Sequence, residues 1–284
     1  MKLSKIFALL LALCLIFSAA CAATFTDVHG NVIELDDSLE AYAAVTLVGA
    51  DNAARQGETN LGDLWADALR WFAVSGEINA AFDEDDVKAG NDRIAVDADH
   101  VVALWNGGNL RADIAEGTFG AEALAEVLPF PNKVAVVYMT GAQLLETLEA
   151  ASQGLPYTAE TADACASLMQ VSGLTYTVDT TKAYDALEAY GDHWFTAGSV
   201  SRVRIDDVNG QPFDAEATYA VVTSNANFNG MDSSYVLKAA AEANEQSAVT
   251  TAVVRDVVFR FIAAELNHQV GEAYAAPQGR LTIL

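Results

Sequence analysis

The strongest constraint on the fold is an apolar stretch that ends in two glycines. Residues 101–105 read Val-Val-Ala-Leu-Trp, a run that is typical of a strand buried on both faces. Asn106, Gly107 and Gly108 follow at once, and glycine there allows a sharp turn and a close approach of a ligand to the main chain. Arg111 lies just past the turn, and its guanidinium is a fixed fork of donors that suits phosphate or carboxylate. The segment therefore predicts an anion-binding turn after a central strand.

A second motif follows about twenty residues later. Residues 128–132 read Leu-Pro-Phe-Pro-Asn, so Phe130 offers a flat ring and Asn132 offers an amide, a pair that suits a nucleobase. Each residue alone has a simpler interpretation. Arg111 is placed to pair with Asp113 at the surface, and Phe130 between two prolines fits the hydrophobic core.

In order along the chain, these motifs resemble the C-terminal domain of the 5'-nucleotidase family. That family has an Asn-Gly-Gly-x-x-Arg turn, a Leu-Pro-Phe-x-Asn loop and then a Thr-Gly-x-x-Leu segment, which is found here at residues 140–144. Further blocks similar to the family's lie at residues 58–68, 171–176 and 218–232. Each block is weak by itself, but their shared order is a specific joint signal that covers roughly residues 55–284.

The resemblance implies a nucleotide-binding site with arginines on the phosphate side and two aromatic rings that sandwich the base. The residues that match the family's binding positions are Arg55, Arg111, Phe130, Asn132 and Asp232. No catalytic or metal-binding residue is expected among them.

The sequence departs from the family pattern around this predicted site. Asp51 stands where some members carry a further arginine, and Ala226 stands where the second stacking ring is expected, with Phe228 as its nearest substitute. Pro131 and Met231 each replace a common glycine. Binding is therefore expected to be weak, with nucleosides favoured over highly charged nucleotides.

The sequence lacks a metal-binding signature that the resemblance leads us to expect for hydrolysis. Family members that hydrolyse nucleotides do so with a separate N-terminal metallophosphoesterase domain, whose two metal ions need His, Asp and Asn ligands. None of the four histidines lies in a Gly-Asn-His-Glu motif. We expect no cofactor in this chain, and divalent metals only if a partner metallophosphoesterase chain exists.

The predicted fold is α+β, a mixed β-sheet layered with helices, as in the family's C-terminal domain. A β-hairpin segment is expected at residues 23–50 and the nucleotidase-like domain at residues 51–284. Helices are predicted at residues 60–72, 121–127, 140–152 and 249–268. Strands are predicted at residues 101–105, 133–139, 168–178, 200–205, 219–223 and 280–284. Residues 75–99 are interpreted as an exposed acidic insertion and residues 180–198 as a loop.

The N-terminus predicts export. Residues 1–22 combine Lys2 and Lys5, an apolar run and a small-residue cleavage site, as in a signal peptide of a secreted, periplasmic or cell-surface bacterial protein. Lipidation of Cys21 is the less favoured alternative, because Ser18 replaces the usual branched apolar residue. The net charge of −24 opposes binding to nucleic acid and anionic membranes, and no other stretch is long enough to span a bilayer.

Three functions are compatible with these features. The first is a secreted, stand-alone nucleotide- or nucleoside-binding domain, which either binds its ligand alone or serves as the substrate-binding half of a split hydrolase. The second is a degenerate extracellular interaction module with no small-molecule ligand. The third is a hydrolase with an unrecognised site.

The predicted cleavage site gives a direct test of export. The mature protein should begin at Ala23 and carry no lipid, because residues 20–22 fit the small-x-small pattern. Intact mass spectrometry of the exported protein measures this, and a diacylglyceryl adduct on Cys21 would contradict it.

Overall fold

The computed structural model describes the backbone of residues 23–26 and 32–35 and the whole of residues 40–284. The predicted signal peptide and Cys21 lie outside the described residues. The strands of the described part, in chain order, are β1 (Ala23–Thr26), β2 (Val32–Leu35), β3 (Glu40–Ala43), β4 (Val101–Asn106), β5 (Gly117–Gly120), β6 (Lys133–Thr140), β7 (Met169–Ser172), β8 (Leu174–Val178), β9 (Ala186–Tyr190), β10 (Trp194–Ala197), β11 (Val203–Val208), β12 (Thr218–Ser224), β13 (Ala248–Val253), β14 (Gln269–Val270) and β15 (Leu281–Ile283).

Helices alternate irregularly with these strands. The α-helices are α1 (Ala53–Gln56), α2 (Asn60–Val74), α3 (Glu84–Lys88), α4 (Ala121–Val127), α5 (Gly141–Ala151), α6 (Asn225–Phe228), α7 (Tyr235–Ala243) and α8 (Val254–Glu265). Side-chain caps begin several of them: Thr59 accepts from Gly62 N at the start of α2, and Thr140 forms a capping box with Gln143 at the start of α5. Within the described ranges, no helix has the length and apolar character required to cross a membrane.

A five-stranded mixed sheet lies at the centre, in the order β13-β6-β12-β4-β7. β12 and β4 are parallel, and the other neighbours are antiparallel. Two three-stranded sheets flank it, in the orders β11-β8-β15 and β14-β3-β5. β1 and β2 pair antiparallel, as a hairpin requires, while the intervening residues 27–31 lie outside the described part.

Both faces of the central sheet are covered by helices. Along β4, Val101, Ala103 and Trp105 join the core beneath α2 and α8, and the alternate residues Val102 and Leu104 join the core beneath α5 and α7. Every residue of β4 is buried. Each large apolar side chain buried in this way stabilises the fold by roughly 1.5–3 kcal/mol. The predicted α+β fold of a mixed sheet layered with helices is therefore confirmed.

Three predicted elements differ from the structure. The strand predicted at residues 168–178 is two strands in different sheets, β7 and β8, separated by Gly173 with a φ of 82°. A Cβ on Gly173 would lie 2.8 Å from Val101 O, so only glycine fits this turn. Residues 249–253 belong to strand β13, and helix α8 begins only at Val254, because the run of Val and Thr residues favours a strand. The predicted loop 180–198 contains the antiparallel pair β9 and β10.

A cluster of acids at the start of α2 holds the C-terminal strand. Glu58 accepts hydrogen bonds from the backbone N–H groups of Arg280 and Leu281, both at 3.0 Å. Arg280 Nη2 donates to Asp67 Oδ2 at 2.9 Å, and Arg280 Nη1 lies in ion-pair contact 2.8 Å from Asp67 Oδ1 and 3.7 Å from Asp63 Oδ1. Burial raises the pKa of the Asp63 carboxyl to about 8, opposed by Arg280 and assisted by Glu58.

The stability of the protein should therefore depend on Asp63 in a pH-specific way. Folded Asp63 keeps its proton where unfolded Asp63, with a pKa near 3.8, releases it, so its contribution to the free energy of unfolding falls as pH rises from about 4 to 8. The side chain in Asp63→Asn cannot ionise. The free energy of unfolding of this variant, relative to wild type, should therefore rise by roughly 1–3 kcal/mol from pH 5 to pH 8. Urea denaturation at both pH values measures this. Glu216→Gln, at an exposed position, is the control. If the free energy of unfolding of Asp63→Asn differs from that of wild type by the same amount at both pH values, the raised pKa of Asp63 is contradicted.

Candidate functional site

A cavity of about 660 Å³ opens at one edge of the central sheet, where β4 and β12 end and β6 begins. In sheets with parallel strands, crevices at the carboxyl ends of the strands are common ligand sites. The cavity is lined by Gly108, Asn109, Arg111, Phe130, Pro131, Asn132, Ala166, Asn225, Ala226, Asn229, Gly230, Met231 and Asp232. Four of the five residues expected to bind a nucleotide are thus brought together.

Arg111 and Phe130 form one wall of the cavity. The Arg111 guanidinium carbon lies 5.7 Å from the centre of the Phe130 ring, a cation–π arrangement. Phe130 is 42% exposed, so it is not a core residue. The alternative ion pair of Arg111 with Asp113 is not formed in the described part of the chain, because Asp113 Oδ1 accepts from the backbone N–H groups of Gly49 and Ala50 instead. Both side chains therefore remain accessible to a ligand.

A chain of amides orients Asp232 at the opposite wall. Asn109 donates to Asn106 Oδ1 at 2.8 Å, and Asn106 Nδ2 donates to Asp232 Oδ2 at 2.8 Å. Burial raises the pKa of the Asp232 carboxyl, while Arg55, Arg111 and the Asn106 hydrogen bond lower it. Asp232 has a φ of 55°, as the tight loop between α6 and α7 requires. Sequence reasoning missed this role of Asn106 and Asn109, although both lie in the Asn-Gly-Gly-Asn turn.

Asn132 lies at the base of the cavity and is 8% exposed. Its backbone carbonyl accepts from Val254 N at 2.9 Å, which fixes the loop against the start of α8. Its side-chain amide has no hydrogen-bond partner among the described residues. A nearly buried amide without a partner is a strong candidate for hydrogen bonding to a ligand.

Arg55 is separate from the other four predicted residues, because it does not line the cavity. Its Nη1 donates to Ala162 O at 2.9 Å and lies 3.8 Å from Asp163 Oδ1. The turn that carries Arg55 is fixed by Gln170, whose buried amide donates to Ala54 O and Gly57 O. The charge of Arg55 lowers the pKa of the Asp232 carboxyl and of the Arg111 guanidinium, so Arg55 acts electrostatically on two residues of the lining.

No second aromatic ring faces Phe130 in the described structure. Ala226 lines the cavity, whereas Phe228 packs against the hydrophobic core on the side of α5 and α7. Phe228 therefore does not substitute for the missing ring. Asp51, at the position of the missing arginine, is exposed with a φ of 54°.

The two glycines of the turn serve internal packing. A Cβ on Gly107 would lie 2.0 Å from Ala54 O, and one on Gly108 would lie 2.7 Å from the Ala166 Cβ. The interpretation that both glycines leave room for a ligand was therefore wrong for Gly107, which lies against the turn that carries Arg55. Gly108 lines the cavity but is also held against Ala166.

Comparison with known proteins gives consistent matches. Residues 40–239 match the family model described as 5'-nucleotidase, C-terminal domain. The chain is similar to the trifunctional nucleotide phosphoesterase protein YfkN of Bacillus subtilis (strain 168), with 28% identity over 188 residues. This match covers 65% of the chain but only 10% of the relative.

Solved structures of similar fold agree. The 5'-nucleotidase precursor from Thermus thermophilus matches with a TM-score of 0.61 and 29% identity, over 86% of this chain and 39% of that protein. The NAD nucleotidase of Haemophilus influenzae matches with a TM-score of 0.56 and 16% identity, over 86% of this chain and 38% of that protein, and shows the fold alone. The chain thus corresponds to about two fifths of each of these two proteins.

Proposed function

Because the chain belongs to the 5'-nucleotidase C-terminal domain family, we propose that it is a nucleoside- or nucleotide-binding domain. The observation that carries the proposal is the meeting of Arg111, Phe130, Asn132 and Asp232 around one cavity. A volume of about 660 Å³ lies within the range of small-molecule sites. Each of the four side chains has a different chemistry, and together they match the base, sugar and phosphate of a nucleotide.

The base would stack on the exposed face of Phe130. A stacked base contributes ~1–3 kcal/mol, and the free amide of Asn132 can hydrogen-bond to the edge of the same base. Asp232 keeps one carboxylate oxygen, Oδ1, without a hydrogen bond to a described residue, and carboxylates accept readily from hydroxyl groups such as those of a sugar. Arg111 would then contact a phosphate or a polar substituent at the cavity mouth.

The charges around the cavity favour ligands of low charge. Arg111 contributes one positive charge to the lining and Asp232 one negative charge, and Arg55 does not contribute a side chain to the lining. The net charge of −24 on the whole chain also opposes the approach of a polyanion. We therefore propose weak binding with a preference for nucleosides over multiply charged nucleotides.

We also propose that any hydrolysis of the bound nucleotide is carried out by a separate metallophosphoesterase chain in nucleotide catabolism. The support is the absence of the Gly-Asn-His-Glu motif from the sequence and the two-metal chemistry that phosphoester hydrolysis by this route requires. Export fits the same proposal, since the Thermus relative is described as a precursor.

The stacking proposal is tested by changing Phe130 and Ala226, which both line the cavity. Phe130→Ala should weaken nucleoside binding by ~1–3 kcal/mol, because it removes the stacking face. Ala226→Phe should strengthen it by about 1 kcal/mol, because it adds the missing ring. Titration calorimetry with a panel of nucleosides measures both changes.

Phe195→Ala is the matched control, since that ring is similarly exposed at 43% and does not line the cavity. If Phe130→Ala leaves a measurable nucleoside affinity unchanged, the ligand binds elsewhere. If no variant binds a nucleoside at millimolar concentration, the nucleoside-binding proposal is contradicted and the interaction module becomes the favoured function.

The purified chain should not release phosphate from nucleoside monophosphates, even with added manganese or zinc. The physical reason is that the sequence lacks the ligand motif that would hold two metal ions beside the phosphate. A phosphate-release assay measures this. Turnover that persists after repurification and is lost in Arg111→Ala would show instead that this chain is itself a hydrolase.

A further inference from the structure

Arg55 is already engaged by a negatively charged group of the same chain. Its side chain is 11% exposed, whereas the Asp163 side chain that faces it is 73% exposed. The Nη1–Oδ1 distance of 3.8 Å is too long for a hydrogen bond but is within ion-pair range, and the Ala162 carbonyl adds a hydrogen bond of 2.9 Å to the same nitrogen. A phosphate that approaches Arg55 from the solvent side therefore meets Asp163 first.

The segment that carries Asp163 is fixed next to the cavity. The 3₁₀ turn Ala164–Ser167 follows directly, and its Ala166 both lines the cavity and lies against Gly108. Ser167 Oγ donates to Ala151 O at 3.0 Å, which joins the turn to the end of α5. Asp163 is thus held close to Arg55 by the fold.

The imidazole of His193 also faces Asp163. His193, from the turn between β9 and β10, places Nε2 3.8 Å from Asp163 Oδ2, so the carboxylate lies between the imidazole and the Arg55 guanidinium. The neighbouring Trp194 indole donates to Ala164 O at 3.2 Å and fixes this hairpin to the Asp163 segment. The carboxylate therefore contacts two basic side chains, yet its own side chain remains 73% exposed.

We propose that Asp163 is a specificity-determining residue, an internal competitor for Arg55 that disfavours ligands with a phosphate group and leaves the cavity to nucleosides. The inference rests on the proposed function for its ligand class. The competition itself depends only on the contacts of Arg55, because any anion that binds this guanidinium must displace Asp163 or share Arg55 with it.

The expected size of the effect follows from the exposure of Asp163. Loss of an exposed ion pair and removal of a like charge close to a bound phosphate each change an equilibrium constant by about two- to threefold. Asp163→Asn should therefore increase affinity for anions about three- to tenfold and leave affinity for uncharged nucleosides unchanged.

The experiment compares wild type, Asp163→Asn and the double variant Asp163→Asn/Arg55→Gln by titration with three probes: inorganic phosphate, adenosine and adenosine 5'-monophosphate. Asp163→Asn should raise the affinities for phosphate and the monophosphate, and Arg55→Gln should abolish the gain. Melting temperatures and circular dichroism verify that each variant is folded.

Glu216→Gln is the matched control because it removes the same charge at an exposed position just before β12. The cavity residues lie at the other end of this seven-residue strand. At physiological ionic strength, charges separated by more than about 8 Å are largely screened, so this variant should match wild type.

The outcomes separate this inference from the proposed function. The inference is overturned if Asp163→Asn changes neither the affinity for phosphate nor the ratio of the affinities for adenosine 5'-monophosphate and adenosine. This holds even if adenosine binds normally. An equal gain in Glu216→Gln also overturns it, since the effect would then come from the total charge. A gain for phosphate that requires Arg55, with no binding of either adenosine compound, supports the competition by Asp163 and contradicts the proposed function.

Discussion

Helices cover the central sheet on both faces, and this constraint determines where polar chemistry can lie. A polar side chain in the middle of β4, β6 or β12 would be buried between sheet and helix, where an unpaired hydrogen-bonding group costs roughly 1–3 kcal/mol. The polar residues therefore collect at the strand ends. Asn106 ends β4, Asn225 follows β12 and Asn132 precedes β6. Since β4 and β12 are parallel, their carboxyl ends meet at one edge, and the cavity lies there.

The buried polar groups that remain inside the fold hold the loops around this edge. The amide of Gln170 accepts from Thr59 N and donates to Ala54 O in α1 and to Gly57 O just after it, so its oxygen and both of its N–H groups are hydrogen-bonded. Glu149, which is fully buried, accepts from three consecutive backbone N–H groups at residues 201–203. Such groups are costly to leave unpaired, so each one fixes the loop that satisfies it. The position of Arg55 is thus a consequence of a side chain on β7, more than a hundred residues away in the sequence.

Much of the fold could be predicted from local patterns, and the failures have physical causes. The apolar run of β4 and the amphipathic periods of α2 and α5 are signals carried by neighbouring residues, and the structure contains these elements within a few residues of the predicted limits. The helix predicted at residues 249–268 was wrong over residues 249–253, because a short apolar run fits both a strand and the first turns of a helix. The break at Gly173 depends on the proximity of Val101 O, and β9 has mostly exposed side chains, so neither leaves a hydrophobic period in the sequence.

Local sequence patterns predict even less of the candidate site than of the fold. The positions of Phe130, Asn132, Arg111 and Asp232 followed from family resemblance, since no local pattern connects segments a hundred residues apart. The partners of these residues were beyond sequence reasoning: Asn106 orients Asp232, and Asp163 faces Arg55. The net charge of the chain does not predict the charges around a single site. A chain of net charge −24 still holds two arginines and two aspartates within one small region. Screening limits the effect of distant charges, so we propose that the balance among those four side chains selects the ligand of the cavity.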